Sequence, residues 1–198
     1  LPEALEGRVA PMIYAEPDAA TLASKFTQKV MTDPSSPAHL FLMNGGAANF
    51  NSREAHAAEI GSANGISNGR NLAGLYAPLA NGKLVSADTL VRMGRVSMAT
   101  HEDATLMIPS RFALGFMKSM DNRKIPNTNN MSCIMSDSAF GHVGMGGSIG
   151  FADPEAKMSF GYNMNRMGIL VNERCQSLID ATYTSLGYRS NASGVWAM

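Results

Sequence analysis

The sequence predicts an α/β fold of the α+β kind. A helical lobe over about residues 1–104 is followed by an antiparallel sheet with a C-terminal helix over about residues 105–198. Three observations carry this reading. Apolar residues recur at helical spacing in the first half, at Leu22, Phe26 and Val30 and again at Leu72, Leu75, Tyr76 and Leu79. In the second half Met158, Phe160, Tyr162 and Met164 alternate with Lys157, Ser159, Gly161 and Asn163, the period of two of a half-buried strand. Between Gly141 and Gly150 five of ten residues are glycine, at a junction between two strand candidates. Glycine there marks either a bulge or tight bend of the sheet, or an edge where a ligand approaches the backbone closely.

Taken in order, residues 17–32 read as one helix with Ala19 and Ala23 beside its apolar stripe. Asp33-Pro34-Ser35-Ser36-Pro37 stops it, because proline lacks the N–H the backbone ladder needs. Residues 43–52 (MNGGAANFNS) and 61–65 read as loops, and a helix over 68–79 ends at Asn81-Gly82. Ser86 is placed to cap a short helix carrying Leu90, Val91 and Met93. Phe112 to Met117 is a strand candidate, and 121–130 a polar loop. Further strands are expected at 139–144, 147–152 and 157–164, with Asp153-Pro154-Glu155-Ala156 turning the last hairpin. Residues 168–186 read as a helix with Leu170, Val171, Cys175, Leu178, Ile179 and Tyr183 inward.

Lys+Arg and Asp+Glu balance at 16 each, so the chain has no general electrostatic pull on nucleic acid or on an anionic membrane. No apolar stretch approaches the roughly 18 residues of a membrane span, so none is expected. Cys133 and Cys175 have no metal-ligand spacing and read as two separate thiols in packed elements. His39, His56, His101 and His142 are scattered, without an H-x-H or H-E-x-x-H pair, and no glycine run leads into a Lys-Ser/Thr helix start. No metal or cofactor is therefore expected. The two sequons, at Asn130 and Asn191, do not indicate a compartment, which stays unknown. The chain opens on Leu1 with no visible signal peptide, so an upstream segment or leader is expected to have preceded it.

Gly146-x-Ser148-x-Gly150 matches the nucleophile-elbow string. An elbow needs strand, turn and helix, with an acid and then a histidine downstream. Here strands flank Ser148 and no histidine follows it, so the elbow reading is rejected.

The run from Gly141 to Arg166 resembles the third active-site box of the serine β-lactamase-like family, which includes class C β-lactamases, D,D-peptidases and related esterases. The box would be His142-Val143-Gly144, standing where relatives carry Lys-Thr-Gly, His-x-Gly or Trp-x-Gly. Gly147 to Phe151, Asp153-Pro154-Glu155 and Asn165-Arg166-Met167 resemble the strand, turn and exit that follow. Upstream, Glu59 to Ser67, the helix over 71–79, Asn81-Gly82, the Ser86–Met93 helix and Phe112 to Phe116 occur in family order. The resemblance covers nearly the whole chain and implies the C-terminal half of a β-lactamase/transpeptidase-like fold, incomplete here. It implies acyl transfer to a serine followed by hydrolysis of an ester, amide or β-lactam.

The resemblance assigns the substrate-binding and oxyanion edge to His142, Gly144, Met145, Gly146 and Ser148. No catalytic residue is expected within the chain. None of its six lysines follows a serine by three, and no tyrosine precedes an asparagine by two, so Ser-x-x-Lys and Tyr-x-Asn are absent. Ser62-Ala63-Asn64 matches Ser-x-Asn in form but sits in the pre-helix loop. A serine without a neighbouring base is a poor nucleophile, so the 198 residues alone are expected to be inactive. The implied partners are a small ester or amide, or a peptide, and either an N-terminal half or another chain to cover the sheet. A non-catalytic structural or assembly subunit on the same fold is the alternative. Histidine in place of lysine makes the box's charge depend on pH, which favours esterase or peptidase chemistry over efficient β-lactam hydrolysis.

Overall fold

A computed structural model describes residues 1–43, 49–126, 128, 131–168 and 173–198. Parts of the expected loops at 43–52 and 121–130, and the start of the expected helix at 168–186 with Leu170 and Val171, lie outside the described residues.

The first half is helical, but in shorter pieces than the periodicity suggests. The single helix expected over 17–32 is two, α1 (Ala19–Ala23) and α2 (Lys25–Thr32). Ser24 between them is extended (φ −63°, ψ 146°), and its side chain accepts from the Thr27 amide at 3.2 Å, so a cap outcompetes continuation. Leu22 is consequently half exposed while Val30 is buried. Two further helices, α3 (Pro37–Met43) and α4 (Arg53–Ala57), went unpredicted. α5 (Gly69–Ala80) and α6 (Ala87–Gly94) start on the caps Asn68 and Ser86, close to where the sequence puts them.

The sheet begins with β1 (Met98–Thr100), also unpredicted, paired antiparallel with β2 (Ser110–Phe112). The strand expected over 112–117 is instead a turn. The Ala113 amide donates to the Phe116 carbonyl at 2.7 Å, and Gly115 takes φ +79°, which glycine adopts without a Cβ clash. Met117 then bridges antiparallel to Phe112 on one side and to Gly141 on the other, joining β1–β2 to the meander β3 (Phe140–Val143), β4 (Ile149–Asp153) and β5 (Met158–Tyr162). In its register His142 faces Gly150 and Phe151 faces Phe160, both antiparallel. β4 starts at Ile149 rather than 147 because Gly146 and Gly147 sit at φ +102° and +106°, outside any strand conformation.

Alternation sorts the strands onto two covered faces. On one, Val143, Ile149 and Phe151 pack against Cys175, Ile179 and Tyr183 of α7 (Glu173–Ser185), together with Trp196. On the other, Phe140 and Ala152 pack against Leu79 and Ala80 of α5. Each fully buried large side chain contributes about 1.5–3 kcal/mol to this sandwich. Two inward expectations need correcting. Leu178 is 49% exposed on the outer face of α7, and Leu75 is 69% exposed on the flank of α5. α5 meets the sheet through small residues instead. A Cβ on Gly161 would lie 2.4 Å from the Gly69 carbonyl oxygen, and one on Gly150 would lie 2.5 Å from the Tyr76 ring. That contact uses residues 69, 72, 73 and 76, which rotates Leu75 outward. Val91 of α6 likewise points to solvent.

The β4–β5 turn is anchored from within. Asp153, fully buried, accepts from the hydroxyls of Ser136 (2.6 Å), Ser138 (2.5 Å) and Tyr183 (2.8 Å). It also accepts from the amides of Glu155 and Ala156, both at 3.1 Å. A buried carboxylate is tolerated when its oxygens are fully satisfied in this way.

Candidate active-site edge

β3 exposes one residue and buries its neighbours. Phe140, Gly141 and Val143 are buried, while His142 is exposed on the face that α5 also covers. Beside it, Gly150 leaves room that the Tyr76 ring and Leu72 fill. Burial there raises the Tyr76 hydroxyl above its ordinary value. The His142 ring is held by its own strand. Nδ1 lies 2.7 Å from the Val143 carbonyl oxygen, which can only accept. Nδ1 is therefore the protonated nitrogen, and Nε2 is the one left to act elsewhere.

The turn after β3 is closed by backbone bonds. The Gly144 amide donates to the Ser148 carbonyl at 2.7 Å, and the Gly147 amide to the Gly144 carbonyl at 3.1 Å. Gly141 exchanges both of its backbone bonds with Met117. Strand alternation then turns the amide of Val143 the same way, away from β4.

The five sequence-predicted site residues thus lie on one short hairpin in different settings. His142 and Met145 are exposed, and Gly144 and Ser148 are half-buried. Gly146 is buried, and the open face expected there is filled: a Cβ would lie 2.6 Å from Met167 Sδ and 2.9 Å from Met164 Cε. Its carbonyl accepts from the Gly168 amide at 2.9 Å. Ser148 leads directly into β4, so no elbow forms. Sequence reasoning missed Met164 and Met167 as neighbours of the box, since nothing in local spacing relates them to position 146.

Two shallow cavities of about 310 and 360 Å³ lie elsewhere, one lined by His101, Arg111 and Asn122 and the other by Asn81, Leu90 and Lys157. Neither includes a predicted site residue. Among the described residues no cluster of His, Cys, Asp and Glu is fit to hold a metal ion, and no helix is long and apolar enough to cross a membrane.

Comparison with known proteins bears on the family and the fold. Residues 9–179 match the model of the family described as Beta-lactamase. Over 116 residues the chain is 34% identical to the Esterase/beta-lactamase LipL of Mycobacterium tuberculosis (strain ATCC 25618 / H37Rv), covering 56% of this chain and 24% of that protein. Among solved structures it resembles a family VIII carboxylesterase (29% identity, TM-score 0.66; 93% of this chain, 45% of that one). EstA from Arthrobacter nitroguajacolicus Rue61a is similar at 26% identity and TM-score 0.71, over 94% of this chain and 48% of that one. A penicillin-binding protein homolog from Caulobacter crescentus is similar at 28% identity and TM-score 0.62, over 93% and 47%. The chain therefore spans about half the length of these structures and about a quarter of the curated relative. A fold of the β-lactamase/transpeptidase type and a family match over residues 9–179 lead to one conclusion: this chain belongs to the β-lactamase family.

Proposed function

We propose that these 198 residues supply the substrate-binding edge of a serine hydrolase that cleaves a small ester, or an amide or peptide, through an acyl-serine intermediate. The observation that carries the reading is the exposed His142 at the third-box position of a chain whose relatives are named as esterases and β-lactamases. The nucleophile and its base come from outside the 198 residues, because Ser-x-x-Lys and Tyr-x-Asn are absent from them. In this scheme the β3 edge contributes preorganised backbone donors to the oxyanion that forms when serine attacks the carbonyl. His142 orients the carbonyl or carboxylate of the substrate beside that serine. Met145 stands at the mouth of the same hairpin. In this reading a division near residue 104 sets a mainly helical segment, whose α5 also covers one face of the sheet, before the sheet segment, and the remaining sheet edge is covered by further residues of the parent or by a second chain.

Two measurements test the proposal. A fluorophosphonate probe on the intact protein should label a serine outside the 198 residues and leave the isolated 198-residue chain unlabelled. Labelling at Ser148 would instead restore the elbow reading. His142→Ala should lower kcat/KM for a neutral ester by roughly tenfold to a hundredfold. Equal values in the two enzymes would remove His142 from the site. The missing nucleophile box also favours a second reading, a non-catalytic structural or assembly subunit, and absence of labelling in the intact protein would select it.

A further inference from the structure

The N-terminal segment forms a strap between α4 and the back of the box. It starts at a 3-10 helix (Glu3–Arg8). At one end Glu6 Oε1 makes a short contact with His56 Nδ1 of α4, while His56 Nε2 lies 2.9 Å from the Phe50 carbonyl oxygen. At the other end the Ile13 amide donates to the Asn165 carbonyl (2.7 Å), and the Met167 amide donates to the Ile13 carbonyl (2.9 Å). Asn165 Nδ2 also donates to the Pro11 carbonyl at 3.1 Å, and Met12 exchanges two bonds with the Asn51 side chain. One residue beyond Met167, the Gly168 amide donates to Gly146, in the turn that carries the box.

The His56 ring is clamped between two oxygens, the Glu6 carboxyl on one nitrogen and the Phe50 carbonyl on the other. Arg53 Nη1 lies 3.4 Å from the second oxygen of Glu6. The His56 side chain is only 10% exposed, so water does not readily replace a lost bond.

We infer that His56 is a positioning residue for the third box, acting through a strap (residues 1–13) that the His56–Glu6 contact holds docked. Loss of that contact undocks Glu6, loosens the pairing of Ile13 with residues 165–167, and frees the turn over 144–148. Release of the strap rests on this geometry alone. Its effect on turnover rests on the proposed function.

The test is hydrogen exchange read by mass spectrometry on the intact protein and on its His56→Gln and Glu6→Gln variants, alongside ester turnover. Each variant should lose protection in residues 1–13 by about tenfold or more, with 144–148 and 165–168 following, and KM should rise more than kcat falls. Glu6→Gln leaves the ring in place should His56→Gln fold poorly. Protection of residues 1–13 equal to the parent's in both variants, or lost there with 144–148 unchanged, overturns the inference. If the exchange behaves as stated but no ester is turned over, the strap stands and the hydrolase reading fails.

Discussion

The Tyr183 hydroxyl donates to Asp153 Oδ2 at 2.8 Å and at the same time accepts from the Ser136 amide at 3.1 Å. One side chain of α7 thus ties together the β4–β5 turn and the segment leading into β3. Tyr183→Phe leaves a buried amide without an acceptor and a buried carboxylate short of a donor. It should cost about 2 kcal/mol. Asp153→Ala should cost more, on the order of 3–5 kcal/mol, because three hydroxyls and two amides lose their acceptor together. Urea unfolding of both variants measures the pair, and a smaller loss for Asp153→Ala would contradict the network.

The crossing of α5 over the sheet gives a second prediction with an internal control. At Gly161 an added Cβ meets backbone, the Gly69 oxygen at 2.4 Å and the Ala73 nitrogen at 2.5 Å. At Gly150 it meets side chains, Tyr76 and Leu72. Side chains can rotate and backbone cannot. Gly161→Ala should therefore cost about 3 kcal/mol and Gly150→Ala nearer 1 kcal/mol, giving a larger drop in Tm for the first.

Gly146 links stability to the candidate site. Its φ of +102° and the Met167 sulfur 2.6 Å from a would-be Cβ make Gly146→Ala both strained and overpacked. The cost should be about 2–3 kcal/mol. Since the turn sits beside His142, kcat/KM of the parent should fall at temperatures well below the melting transition. Unchanged kcat/KM in a destabilised variant would separate the turn from the site.

Cys133 and Cys175 are both thiols, fully buried in the packing between α7 and the sheet. Burial pushes both thiols up, Cys175 from 9.0 to about 12 and Cys133 further. An acid whose folded value is raised contributes stability that is complete below its unfolded value and is lost as pH rises toward the folded one. Each thiol should cost about 1.4 kcal/mol per pH unit above pH 9. Neither should react with a thiol reagent at pH 8 until the protein is unfolded. Native-state labelling would show that the core opens there.

The meander was legible because its signals are local. Alternation at 157–164 gives β5, the Asp153-Pro154 turn gives the hairpin, and period two puts His142 opposite in sense to Val143. The short helices were not. α3 and α4 have seven and five residues, under two turns, too few for an apolar stripe to repeat. Their caps were the available signal, Ser52 for α4 and Pro37 at the first position of α3. The break at Ser24 was hidden for the opposite reason: Leu22, Phe26 and Val30 keep a helical spacing across a residue that leaves the helix. At the site, the filling of Gly146 by Met164 and Met167 depends on a chain reversal that no local pattern encodes.

The order in which Asp153 acquires its partners has a consequence for synthesis. Ser136 and Ser138 are made before it, but Tyr183 follows by 30 residues. At usual translation rates that is a delay of roughly 1.5 to 6 s. Through that interval the carboxylate keeps its water and Phe151 has no ring of α7 to stack on. The nascent hairpin therefore presents a wet acid beside a bare aromatic face until α7 docks.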